Sequence, residues 1–340
     1  MNAAAPTVDI HAHAVVGPAL ALAMRHEDAA AARAYEAATF GEHSSQVNQK
    51  QIQTIVPLLT DPDERFAVMD RQGIDVQLVS PSPQHYHDWA DEPTSRTIVE
   101  LVNEGMATLV DAHPQRLRGL GLVSLHRPEL AVDQLTHAVD ELGLRGVEVS
   151  TTAGERELTD PELEPFWARA EELDALVFIH PWGSTLGPRL DQHYLANVVG
   201  NPTETTLALS HIIFDGLLDR RPKLRILGAH GGGYLPFYIG RSDHAWQVRP
   251  DSQKAQQAPS AYLKQLYFDD VVFQPHLLEA LVAQVGAGQV LMGTDYPFDM
   301  GHWEPLERVA AATGLGADDR ARITGANAVA LLGLPAPATA

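Results

Sequence analysis

The 340-residue chain contains no cysteine. Disulfides, a thiolate nucleophile and a zinc–sulfur site are thereby excluded, and any bound metal must rest on His, Asp or Glu. Positive charge is also scarce. Lys and Arg number 24 against 44 Asp and Glu, a formal net charge of −20. Nucleic acid is excluded as a partner, because phosphate binding needs a basic face. An anionic substrate must instead be caught by local positive charge, from a metal or an arginine, against the overall field. No apolar run reaches the roughly eighteen residues of a membrane span. No basic stretch followed by an apolar core opens the chain, so no signal peptide is expected and a cytoplasmic location is. No G-x-G-x-x-G follows the first apolar run, which removes the usual dinucleotide cradle.

What is present is a regular alternation. TVDIHAH, VQLVSPS, LRGLGLVSL, GVEVST, LVFIHP, LRILGAHG, LYFDDVV and QVLMGTDYP read as strands. Helical patterns separate them, among them 17–39, 94–112, 128–142 and 161–173. DPDERFAVMDRQG is framed by Asp-Pro and Gly, which are helix boundary signals. Residues 41–60 are polar and read as irregular, so 17–60 is expected to be a small insertion or lid. Eight βα units predict an α/β fold of the (β/α)8 barrel type, with an open doubly wound sheet as the alternative. One domain over 1–335 and a frayed tail at 336–340 are expected.

The polar residues that interrupt the apolar runs form a pattern. His11 and His13 lie two apart in the first strand, and residues i and i+2 share a face. His180 ends LVFIHP, His230 ends LRILGAHG and Asp295 ends QVLMGTDYP. In a barrel these strand ends meet on one face. An ordinary explanation would need separate core histidines and a turn aspartate to coincide there. Imidazole and carboxylate donors suit one divalent metal, with Zn2+ favoured and Mn2+, Fe2+ or Co2+ as alternatives. A metal pair bridged by a carboxylated lysine on a central strand is excluded, since no lysine occurs between Lys50 and Lys223. Glu148 is the only charged residue in GVEVST and could bridge instead; a single metal is the preferred reading.

D-I-H-A-H, H-P-W (180–182), G-A-H-G-G-G (228–233) and G-T-D-Y-P-F (293–298) together resemble the amidohydrolase superfamily. More narrowly the chain resembles its 2-amino-3-carboxymuconate-6-semialdehyde decarboxylase-like branch. DPDERFAVMDRQGIDVQLVSPSP, P-T-E-T (202–205) and I-G-R-S-D-H-A-W (239–246) extend the likeness along nearly the whole chain. The resemblance implies a metal-dependent, non-oxidative decarboxylase of a small unsaturated or aromatic carboxylic acid, active in aromatic-compound breakdown. It implies His11, His13, His180 and Asp295 as metal ligands and His230 as the catalytic histidine beside them. Arg241 matches an arginine that reaches the substrate of a neighbouring subunit, which implies a homodimer. Trp182 matches the aromatic beside the ligand histidine.

One departure bears on the substrate. The branch has a second substrate-binding arginine shortly before the Asp-Pro, and here QKQIQTIVPLLTDP offers Gln53 at that place. The acid is then aminocarboxymuconate-semialdehyde-like or hydroxybenzoate-like. A metal-dependent hydrolase of a small cyclic amide, lactone or ester is the alternative. Either His230 or Asp295 could deliver the proton. His85, Tyr86 and His87 follow the second strand and could line the pocket, or form an ordinary polar loop. Phe298 could stack on a flat substrate or simply pack. Asp269 and Asp270 could orient ligands or cap. Gly231, Gly232 and Gly233 could cradle phosphate, though close backbone passage is the preferred reading.

Overall fold

Eight short strands, apolar enough to be buried on both faces, frame the molecule. They are β1 (Val8–Ala14), β2 (Val76–Pro81), β3 (Leu117–Gly119, continued by Gly121–Leu122) and β4 (Gly146–Val149). β5 (Leu176–Ile179), β6 (Arg225–Gly228), β7 (Leu266–Asp269) and β8 (Val290–Leu291) follow. Each pairs in parallel with the next, and helices cover the outside, as buried parallel strands require. The ladder falls into two runs. One junction is Leu120, whose N–H donates to Val79 O at 2.9 Å. At the other, Ile10 N donates to Met292 O at 2.9 Å and His13 N to Tyr296 O at 2.8 Å. The result is the (β/α)8 barrel read from the sequence. The computed structural model describes residues 5–335, and the tail expected at 336–340 lies outside the described residues. No helix among the described residues is long and apolar enough to cross a membrane.

Between β1 and β2 the structure departs from the sequence reading. The helix expected over 17–39 is two, α1 (Gly17–Arg25) and α2 (Ala29–Phe40). The stretch read as irregular is a third, α3 (Glu42–Thr60). Its buried face is thin, holding Ser44, Ile55 and Leu59. Glutamine and lysine are good helix formers and fill the exposed side, so the segment is helical with almost no apolar stripe to reveal it. α4 (Pro62–Gln72) begins as its boundary signals require. Asp61 accepts from the Asp63 N–H at 2.9 Å, Pro62 opens the first turn, and Gly73 closes the helix at φ 70°.

α4 also buries an arginine. Arg65 donates to Gln77 Oε1 at 2.6 Å and to the His13 carbonyl at 2.6 Å. Its guanidinium lies 4.7 Å from the centre of the Tyr296 ring. Gln77 in turn donates to Asp9 at 2.8 Å, and Asp9 accepts from the Thr294 hydroxyl at 2.6 Å. This buried chain ties α4, β1, β2 and the segment after β8 together just outside the strand ends that carry His13 and Asp295.

The three glycines after β6 all have positive φ. Their N–H groups are used within the protein: Gly231 to Asp269 Oδ1, Gly232 to Ala229 O and Gly233 to His230 O. They therefore do not form an anion cradle. At Gly233 (φ +65°) a Cβ would lie 2.1 Å from the Pro202 carbonyl oxygen. Gly233→Ala combines that overlap with a left-handed backbone, and is expected to cost more than about 1 kcal/mol, read as a lowered urea midpoint.

Candidate metal centre

His11 and His13 face the barrel interior because β1 changes phase. Between Asp9 and Ala12 the register with β2 shifts, three steps matching the two from Gln77 to Val79, a one-residue bulge. Val8 and Ile10 belong to the inner apolar cluster with Leu176, Phe178 and Leu227. Ala12 packs instead with Val68 of α4 and with Tyr296. Plain alternation would put Val8, Ile10 and Ala12 on one face. After the bulge the two imidazoles point inward, and the His11 ring meets Phe178 edge-on at 4.8 Å between centroids.

The sequence-derived donors converge. His11 Nε2 lies 3.1 Å from His13 Nε2. Asp295 Oδ1 stands 3.4 Å from His11 Nε2 and 3.3 Å from His13 Nε2. The His180 ring lies 5.0 Å from that of His11 and 4.9 Å from that of His13, centroid to centroid. Donor atoms of His11, His180, His230 and Asp295 all fall within 4.8 Å of one another. His230 meets the other oxygen of the aspartate, with Nε2 3.5 Å from Oδ2. Both His230 (φ 54°) and Asp295 (φ 58°) occupy left-handed backbone, a strained geometry that tends to gather at functional sites.

Carboxylates behind the histidines fix their rings. His11 Nδ1 donates to Asp269 Oδ2 at 2.7 Å. Asp269 also accepts from the N–H groups of His230 and Gly231, each at 2.8 Å. His13 Nδ1 faces the Ser80 hydroxyl at 3.2 Å and Glu148 Oε2 at 3.6 Å. The other oxygen of Glu148 accepts from the Tyr86 hydroxyl at 2.6 Å. This is the arrangement in which an outer carboxylate sets the tautomer of a metal-binding imidazole.

The electrostatics fit a cation. Burial pushes the His11 pKa down, but Asp295 and Asp269 outweigh it and hold it at about 9. Burial favours a neutral Asp295, and His11, His13 and His230 reverse this, keeping it well below the usual carboxylate range. His180 is held well below its ordinary value by burial and by the neighbouring imidazoles. Both His180 ring nitrogens, His230 Nδ1 and Asp295 Oδ1 are buried without a hydrogen-bond partner. With His11 Nδ1–H given to Asp269, neutral His11 presents the lone pair of Nε2 to the interior of the cluster. Orphaned donors, ionised Asp295 and neutral His180 are what a divalent metal requires.

The other residues singled out from the sequence are spread more widely. Phe298 stands beside the centre, its ring 5.4 Å from that of His13. Trp182 packs on Phe40 at 5.7 Å. His85 is fully buried and accepts from the Val16 N–H at 3.0 Å, tying down the start of α1. Burial pushes its pKa down to about 3. Gln53 is exposed on α3 and Arg241 on the helix Leu235–Val248. Asp270 pairs with buried Arg308 and Gly293, not with a histidine. Arg65 and Tyr194 went unmarked in the sequence. Arg65 had one signal, an arginine in helical phase with Val68 and Met69. Tyr194 has left-handed backbone (φ 61°) and stacks on Phe40. Burial raises its pKa, with the Asp299 and Asp295 charges adding to the rise.

The family profile described as Amidohydrolase matches residues 8–334. The chain belongs to the amidohydrolase family. Among amidohydrolases it sits with the decarboxylases. It is 34% identical over 276 residues to 2-amino-3-carboxymuconate-6-semialdehyde decarboxylase of Dictyostelium discoideum, covering 81% of this chain and 77% of that one. The fold matches 5-carboxyvanillate decarboxylase of Sphingomonas paucimobilis with a TM-score of 0.82 at 22% identity, covering 97% and 99% of the two chains. It also matches a dihydroxybenzoic acid decarboxylase from Polaromonas sp. JS666, solved with manganese and 2-nitroresorcinol, at a TM-score of 0.79 and 24% identity over 98% of each. This amidohydrolase is accordingly a carboxy-lyase by kinship.

Proposed function

We propose that the protein is a metal-dependent, non-oxidative decarboxylase of a small aromatic or unsaturated carboxylic acid. The observation that carries this is the meeting of four imidazoles and Asp295 at one barrel mouth, with buried nitrogens and an oxygen left unpartnered. His11, His13, His180 and Asp295 Oδ1 would hold the metal. The donor set favours zinc, while the Polaromonas relative carries manganese. When bound, such an ion polarises the carboxylate and adjacent oxygen of the substrate.

The chain's own residues supply the rest. His230 stands on the far oxygen of Asp295, on the more open side of the cluster, and is the proton carrier. It gives a proton to the carbon that bears the carboxylate. The carbon–carbon bond then breaks, its electron pair returns to the unsaturated system, and CO2 leaves; His230 regains a proton from water. Phe298 and Trp182 would flank the flat substrate. Arg241 shares an exposed helix face with Tyr238, which is 71% exposed, and Tyr234 lies one turn earlier. That face supports a homodimer in which Arg241 reaches the neighbouring site. A cytoplasmic location and a place in aromatic-compound breakdown belong to the same reading.

The test is CO2 release from a panel of hydroxy-, amino- and nitro-benzoates together with aminocarboxymuconate semialdehyde. Release is expected from at least one acid, lost on chelation and restored by zinc or manganese. Silence across the panel with metal bound, alongside hydrolysis of a lactone or cyclic amide, would overturn the proposal.

A further inference from the structure

A cavity of about 710 Å³ lies beside the metal centre, between α1, α2 and the loops that follow β2, β4 and β5. Two of its wall residues adjoin the centre. Tyr86 donates to Glu148, which faces His13, and its hydroxyl also approaches the His180 carbonyl at 3.4 Å. Trp182 is two residues past His180. The cavity wall therefore adjoins the residues that carry and orient the metal donors. Cavities of roughly 300–1,000 Å³ enclose ligands much larger than one ring. A single-ring acid seated on the metal donors would leave this one unfilled.

Its chemistry is mixed in a telling way. Leu20, Met24, Phe40, Trp89 and Trp182 give apolar and aromatic surface. Among charged groups, Asp88, Glu36, Glu155 and Glu204 stand against one cation, Arg33. Glu204 is already engaged by the Ser184 hydroxyl and by the N–H and hydroxyl of Thr185. A second carboxylate placed here would meet more negative than positive charge, whereas a flat neutral group would find rings to stack on.

We infer that this cavity takes the distal, uncharged part of an elongated monocarboxylic acid whose carboxylate lies at the metal centre. The inference rests on the decarboxylase reading and narrows its substrate class.

Binding can be tested without turnover, by quenching of tryptophan fluorescence in zinc-loaded protein, because Trp89 and Trp182 line the wall. Three probes suffice: 4-hydroxybenzoate, 4′-hydroxybiphenyl-4-carboxylate and biphenyl-4,4′-dicarboxylate. The hydroxybiphenyl acid is expected to bind at least about tenfold more tightly than 4-hydroxybenzoate. The dicarboxylate is expected to lose that advantage. Ala32→Phe on α2, or Leu20→Phe on α1, should abolish the preference and leave 4-hydroxybenzoate binding unchanged. Equal binding of one- and two-ring acids, or a preference that survives both substitutions, overturns the inference. A preference that holds while no acid releases CO2 supports the cavity assignment and sinks only the reaction.

Discussion

With His230 replaced by alanine, the protein is expected to keep its metal and to lose about 10²- to 10⁴-fold of its decarboxylation rate. His230 lies within the cluster but meets a different oxygen of the aspartate from His11 and His13. Asp295 turns Oδ1 toward His11 and His13 and Oδ2 toward His230. His11, His13, His180 and Asp295 Oδ1 would hold the ion. His230 is also the more accessible group, its side chain 16% exposed where those of His11 and His13 are fully buried. A proton carrier needs that access and a ligand does not. Its backbone is fixed independently, through an N–H bond to Asp269 at 2.8 Å, so removing the imidazole leaves the loop anchored. Elemental analysis and single-turnover CO2 release, run on the same preparation, read the two effects separately. Loss of metal from His230→Ala would make His230 a ligand, and full activity would remove it from the mechanism.

The second large effect is on stability. Arg308→Met should destabilise the fold by about 3–5 kcal/mol, because it strands a buried carboxylate. Asp270 and Arg308 are both almost wholly inaccessible. Arg308 also donates to the Gly293 carbonyl at 2.9 Å, while Asp270 accepts from the Gly293 N–H at 2.8 Å. Gly293 lies two residues before Asp295, so the pair braces the segment that carries the aspartate. Burial pushes the Asp270 pKa up from 3.8 to about 6, and Arg308 opposes that rise. Taking the arginine away lifts it further. A carboxyl whose folded pKa is raised favours the folded state fully below its unfolded value, and that advantage fades as pH rises through the folded pKa. The penalty of Arg308→Met is therefore larger at pH 8 than at pH 5. Urea midpoints at the two pH values measure this. A penalty independent of pH would show that lost packing dominates. Adding Asp270→Leu should recover much of the loss.

The barrel and its mouth were legible because two signals coincide in the sequence. Short apolar runs recur at βα spacing, and polar residues end or interrupt several of them. His180, His230 and Asp295 stand out against LVFI, RILG and VLMG for that reason. The parts that escaped lack such contrast. α3 is helical on glutamine-rich sequence whose inward face is little more than Ile55 and Leu59. Arg65 looks like a surface residue until tertiary contact gives its guanidinium Gln77 and the His13 carbonyl. His85 sits at the active-site end of β2 by position, yet its lone pair is taken by Val16. Local sequence shows which groups reach the mouth of a barrel; it does not show which backbone donor they meet there.

The extra residue between Asp9 and Ala12 makes the length of this segment as informative as its composition. Below it, β1 belongs to the greasy floor of the barrel, in one cluster with Leu331 and Leu332. Above it, the same strand belongs to the reactive rim. Were the bulge lost with the sequence unchanged, strict alternation from Val8 and Ile10 would turn both histidines toward α4, exchanging them with the alanines. Spacing thus acts as a gear between two halves of a seven-residue strand. A graft of Val-Asp-Ile-His-Ala-His onto a strand that pairs without a bulge would carry the donors without the site.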